Sequence, residues 1–182
     1  MENINWEDID IKELAGIISE EMRANGINSI LVGGACVVVY SDNEYTSYDL
    51  DFVTFSNLNE IKPVLEKLGF RQEGIRHFVN KRCKFYIDLN PPPVSVGKED
   101  VIDKFNKLKT KNGVVKLFTP TDCVKDRLAA YYHWNDPESL EQAILVAKRQ
   151  KIDINEIKRW FEKEESLGKF NEFFEILSSK GT

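Results

Sequence analysis

Two carboxylates stand two residues apart in the stretch YDLDFV, at Asp49 and Asp51. The apolar residues around them, Leu50, Phe52 and Val53, read as a strand entering a core. A strand alternates its side chains, so Asp49 and Asp51 project on one face and Leu50 and Phe52 on the other. Side by side the two acids repel, and burying one of them unpaired is expensive. Two arrangements relieve this: a sheet edge with both acids in water, or a divalent cation over them. The same alternation singles out Asp88. In CKFYIDL, Phe85, Ile87 and Leu89 alternate with Lys84, Tyr86 and Asp88, which is the sole acid on the non-core face. If the two strands are neighbours, the carboxylates of Asp49, Asp51 and Asp88 converge, as two-metal phosphoryl or nucleotidyl transfer requires.

Upstream, Gly33-Gly34 close the apolar run NSILV and open ACVVVYS. A glycine pair serves a plain turn equally well, or lets a phosphate approach backbone N–H groups at a helix start. The β-branched residues of ACVVVYS favour strand. A helix is expected instead, because the segment lies between two core strands and must cross over.

The elements that position these residues follow from periodicity and punctuation. Residues 6–24 carry Ile11, Leu14, Ile17 and Ile18 at helical spacing, stopped by Asn25-Gly26. NLNEIKPVLEKLGF reads as a helix ended by Gly69, with Pro63 near its first turns. RQEG, RHFVN and KFYIDLN read as short strands, and PPPVSVG as a rigid extended loop. FNKLKTKNGVVKLFT suggests a hairpin about Lys111-Asn112-Gly113. From Thr119 the chain is helical, with Thr119-Pro120 and Asp136-Pro137 as cap and first-turn pairs and two more helices near 154–163 and 170–178. The expected fold is α/β (α+β), a mixed β-sheet core over residues 1–118 flanked by helices, with a C-terminal helical region over 119–182 packed on it.

The 182 residues, 42% hydrophobic and 30% charged, suit a globular protein. No apolar run approaches a membrane span, and MENINWEDID lacks the regions of a signal peptide. Cys36, Cys83 and Cys123 are dispersed and outside any CxxC spacing, which points to free thiols and a cytoplasmic location. His77 and His133 are too isolated for a histidine metal centre. The net charge is −5, but residues 71–116 hold 11 Lys and Arg against 5 Asp and Glu. That basic stretch is either a solvated β surface with lysines discouraging edge pairing, or a rim for phosphate-bearing ligands, RNA included.

Taken together, LVGGACVVVYSDNEYTSYDLDFV resembles the signature of the DNA polymerase β-like nucleotidyltransferase superfamily: a glycine pair, a spacer and an acid–apolar–acid strand. The spacer of 14 residues between Gly34 and Asp49 is similar to that of a small prokaryotic branch distantly related to AbiEii-type toxin nucleotidyltransferases. The matching residues are Gly33, Gly34, Ala35, Tyr40, Tyr45, Thr46, Ser47, Asp49 and Asp51. FYIDLNPPPVSVG and TPTDCVKDRLAAYYHWNDPESLEQA extend the resemblance to about half the chain. It implies Mg²⁺ (or Mn²⁺) on Asp49, Asp51 and Asp88, with Asp88 promoting deprotonation of an acceptor hydroxyl. Gly33 and Gly34 would cradle the β- and γ-phosphates of an NTP substrate such as ATP, and Thr46 or Ser47 would hydrogen-bond phosphate. The chain departs from many members in carrying Asp rather than Glu at the third position, and NPPP in place of a glycine-containing turn.

In the helical region Arg127 is read either as the partner of a buried acid or as a contact to the triphosphate or base. Asp126 and His133 are read as structural, Val124, Leu128 and one tyrosine as core, and Trp134 and Trp160 as fastening the helices to the core. The implied activity is transfer of a nucleoside monophosphate to a hydroxyl of RNA (a tRNA end included) or of a protein, in a toxin–antitoxin or defence setting. The basic stretch argues against an aminoglycoside acceptor. The alternative is a non-catalytic nucleotide-binding or interaction module with a cognate antitoxin or other partner protein.

Overall fold

The computed structural model describes residues 4–97 and 100–179. The outer ends of the expected core and helical region, and residues 98 and 99 of the basic stretch, lie outside them. The chain divides into two compact units. One is Met1–Ala35, Thr46–Pro93 and Phe105–Leu117; the other is Cys36–Tyr45, Val94–Lys104 and Phe118–Thr182.

The first unit is built on a seven-stranded mixed sheet of β1 (Ser29–Val32), β2 (Asp49–Thr54), β3 (Arg71–Gln72), β4 (His77–Val79), β5 (Tyr86–Asn90), β8 (Asn106–Thr110) and β9 (Gly113–Leu117). Their order is β3-β4-β5-β2-β1-β9-β8, with β2 antiparallel to β1 and parallel to β5. Helix α1 (Ile11–Ala24) starts where the Asp10 side chain accepts from the Glu13 amide, and ends at Asn25 before Gly26 at φ +75°. Its buried Ile11, Leu14, Ala15, Ile18 and Met22 form one stripe, and the helix lies on β8 and β9. Helix α3 (Leu58–Lys67) buries Ile61, Val64 and Leu65. Pro63 is the sixth residue of α3, in its second turn, and the helix forgoes one backbone hydrogen bond there.

Cross-strand partners share a face of a sheet. Leu31 pairs with Phe52 and with Leu117, and Phe52 with Leu89. These residues are at most 2% exposed and define the apolar face. Asp49, Asp51 and Asp88 alternate with them and therefore occupy the other face.

The second unit contains α4 (Pro120–Trp134), α5 (Pro137–Arg149), α6 (Ile154–Lys163), α7 (Leu167–Ser179) and a small ribbon of β6 (Ser95–Val96) and β7 (Asp100–Val101). The Pro-rich segment, expected to be loop throughout, thus contributes a strand of this ribbon. Both expected caps form: Thr119 accepts from the Asp122 amide and Asp136 from that of Glu138. Val124, Leu128, Trp160, Phe161 and Phe173 are buried here, with Tyr131 at 6%. Trp134 is 82% exposed, against the expectation that it is a fastening residue. It is the last residue of α4, and the left-handed Asn135 turns the chain away immediately after it. Among the described residues no helix is long and apolar enough to cross a membrane.

Candidate active site

Helix α2 (Gly33–Tyr40) follows β1 with no intervening loop. An immediate strand-to-helix turn requires an unusual backbone, and Gly33 supplies it at φ +67°. A second constraint acts on the same atom position. A Cβ on Gly33 would stand 2.5 Å from Asp51 Oδ2, so only glycine leaves that carboxylate where it is. Gly34 is the second residue of α2. The first N–H groups of a helix have no partner within it, which makes this end a natural anion contact. The first turn of α2 carries no acid to occupy that role.

The parallel pairing of β2 with β5 sets Asp51 directly opposite Asp88, and Asp49 opposite Tyr86. All three carboxylates expected from alternation therefore lie on one face of two adjacent strands. Each is half-buried, with Leu50, Phe52, Ile87 and Leu89 beneath the sheet as anchors. Their nearest partners differ. The Ser47 hydroxyl donates to Asp49 Oδ1. The Asn90 amide donates to Asp51 Oδ1 at 3.2 Å. His77 Nδ1 stands 2.7 Å from Asp88 Oδ1, its strand β4 pairing His77 with Asp88 in register.

Tyr86 records the electrostatics of this face. Burial first, and then the negative charges of Asp49, Asp88 and Asp51, raise its hydroxyl pKa, so it remains a proton donor through the neutral range. Its ring lies 4.9 Å from that of His77. The donors are hard oxygen ligands of the kind Mg²⁺ prefers. Among the described residues no three or more His, Cys, Asp or Glu side chains are gathered closely enough to hold a metal by themselves. Mg²⁺ bound beside a polyphosphate needs only one or two protein carboxylates, so the donor set fits that ion together with a nucleotide.

Gly33, Gly34, Ser47, Asp49, Asp51 and Asp88 all belong to the first unit. Ser47, 5% exposed, uses its hydroxyl on Asp49, whereas Thr46 is exposed. Arg127, in the second unit, pairs with Asp126 at 2.6 Å and donates to Gln142 at 3.4 Å. His133 pairs with Glu164 at 3.3 Å, in line with its structural reading. Two residues of the site escape sequence reasoning, His77 and Asn90. Both lie on the acid face by strand parity, but their proximity follows from β4 and β2 flanking β5, which local pattern does not reveal.

No protein-family model matches the sequence, and no curated protein matches it. Solved structures do. An antigenic nucleotidyltransferase-like protein from Paracoccidioides brasiliensis superposes with a TM-score of 0.56 at 15% identity, covering 77% of this chain and 76% of its own. ANT(2'')-Ia, in complex with adenylyl-2''-tobramycin, superposes with a TM-score of 0.51 at 13% identity, covering 94% of this chain and 98% of its own. At such identities the likeness concerns architecture, and the chain has a nucleotidyltransferase-like fold.

Proposed function

We propose that this chain is a divalent-metal-dependent nucleotidyltransferase, with Asp49, Asp51 and Asp88 as its catalytic carboxylates. The observation that carries the reading is the register of β2 against β5, which sets like-charged Asp51 and Asp88 side by side. Like charges directly opposite one another destabilise a sheet. A bound cation would convert that cost into an attraction, and the chain is similar in fold to ANT(2'')-Ia, solved in complex with adenylyl-2''-tobramycin.

In this reading Asp49 and Asp51 hold Mg²⁺ (or Mn²⁺), with Asp88 completing the set. When bound, the ion neutralises charge on the polyphosphate and on the oxygens that exchange at phosphorus. Gly33 and Gly34 offer backbone N–H groups to the β- and γ-phosphates. The acceptor hydroxyl oxygen forms a bond to the α-phosphorus as the bond to the bridging oxygen breaks. Pyrophosphate takes that electron pair, and the hydroxyl proton passes to Asp88. Ser47, Asn90 and His77 keep the three carboxylates oriented, so position and charge supply the catalysis.

ATP is the first nucleotide to test, given the adenylyl group of the adenylyl-2''-tobramycin in complex with ANT(2'')-Ia. The experiment is pyrophosphate release from each of the four NTPs with Mg²⁺, comparing wild type with Asp49→Asn and Asp51→Asn. Release that needs Mg²⁺ and disappears in both variants supports the assignment. Full activity in either variant overturns it.

A further inference from the structure

A cleft of about 260 Å³ lies where the end of α1, the turn into β1 and strand β9 meet. Its walls include Ser19 and Arg23 of α1, Ile27 and Asn28 of the turn, and Val114 and Lys116 of β9, all in the first unit. From Ser29, which also lines it, β1 runs to Val32, the cross-strand partner of Asp51. That is about 10 Å along the strand, so the cleft and the carboxylates are separate sites.

The cleft is incomplete within the chain in two respects. Ser19 is 5% exposed, and its hydroxyl is buried without a hydrogen-bond partner. Native proteins rarely leave such a group unsatisfied. Lys116 brings its ammonium to the neutral Asn28 Oδ1 at 2.6 Å, and no carboxylate pairs with it among the described residues. Edge-strand lysines discourage unwanted pairing, but Lys116 sits on an interior strand, directly opposite Lys107 at a cost in repulsion. Arg23 donates to Glu20 through Nε and Nη2. Glu20 thus answers one of the three cations, and this end of the sheet stays positive. A helix C-terminus ordinarily opposes an anion. Here the last carbonyls of α1 are occupied: Met22 and Arg23 accept from the amides of Asn25, Gly26 and Ile27, and Glu21 from the Asn25 side chain. A water molecule would satisfy the hydroxyl but not the charge.

We infer that this cleft binds a small phosphate monoester, independently of the nucleotidyltransferase reading. The phosphate, with roughly two negative charges at neutral pH, meets the Lys116 ammonium and the Arg23 guanidinium, and the Ser19 hydroxyl gains an acceptor. Ile27 and Val114 supply apolar wall for the ester group, which free phosphate would leave uncovered.

The test is the melting shift caused by phenyl phosphate without Mg²⁺, titrated at constant ionic strength so that its concentration dependence gives Kd. Wild type should melt higher with the ligand. Lys116→Gln should bind at least about tenfold more weakly, having lost a charge-assisted contact. Lys116→Arg should bind as wild type does, which separates charge from folding. Ser19→Ala removes an unsatisfied hydroxyl, so the free variant should be no less stable than wild type yet bind about fivefold more weakly. Asp51→Asn should keep the full shift, which separates this cleft from the carboxylate site. An equal shift in wild type and Lys116→Gln overturns the inference, as does no shift in wild type or a shift lost in Asp51→Asn. An equal shift from benzoate overturns the phosphate assignment, and inorganic phosphate binding as tightly as phenyl phosphate overturns the monoester.

Discussion

The two units handle buried acids in opposite ways. In the helical unit, Asp122 is 8% exposed and is closed by Lys125, itself 2% exposed, at 2.8 Å; the same ammonium reaches Glu156 at 2.8 Å. Burial disfavours that ammonium, but its hydrogen bonds to Asp122 and Glu156 outweigh the cost and its pKa is raised. On the sheet, Asp51 faces Asp88, and the partners around the acids are a hydroxyl, an amide and an imidazole. The first arrangement is complete within the chain. The second has directed acceptors and excess negative charge, which the proposed cation–nucleotide complex would neutralise. Paired acids in a strand therefore mean little until their partners are known.

The difference can be broken from either side. The largest expected effect is on turnover: Asp49→Asn or Asp51→Asn should cost on the order of a thousandfold in Mg²⁺-dependent pyrophosphate release, about 4 kcal/mol of transition-state stabilisation. Next is Lys125→Met, which leaves Asp122 buried without its cation and should cost about 3 kcal/mol of stability by denaturant titration. The sign with pH follows from the raised Lys125 pKa. Its contribution is complete below the unfolded value, about 10.4, and is lost as pH rises through the higher folded value. The alkaline loss of stability should be correspondingly smaller in Lys125→Met.

Gly33→Ala combines a left-handed backbone with displacement of Asp51. It should lower stability by about 1–2 kcal/mol and reduce turnover as well, by the same two assays. The smallest effect is the most discriminating in sign. Without ligand, Asp51→Asn removes a like-charge opposition and should raise the melting free energy by about 0.2–1 kcal/mol. A lower value would mean that the partners Asp51 has within the chain, Asn90 among them, outweigh that repulsion.

What could be read in the chain was local. Alternation in YDLDFV and FYIDL put the three acids on non-core faces, and Leu50, Phe52, Ile87 and Leu89 are buried beneath them. Thr119-Pro120 and Asp136-Pro137 act as caps because capping involves residues close in sequence. The helix after Gly33-Gly34 forms against the β propensity of its valines, but not for the reason expected: β1 and β2 are adjacent and antiparallel, so no crossover is required between them. What escaped was set by topology. His77 looked isolated in sequence and meets Asp88 only because β4 pairs with β5. Ser47, matched to phosphate by resemblance, donates to Asp49 two residues away. Trp134 was assigned to packing by residue type alone, whereas its place at the end of α4 leaves it exposed. The lysine pair was visible only as a charge excess, since its placement depends on the β8–β9 register.

The most direct test of the central claim is a thermal melt of wild type and Asp51→Asn with ATP, with and without Mg²⁺. Nucleotide at about 100 times its Kd should add about 2.7 kcal/mol to wild-type stability, only with Mg²⁺, and nothing to Asp51→Asn. An equal shift in the variant, or no shift in wild type with any of the four NTPs, would contradict the claim that these carboxylates receive a metal–nucleotide complex.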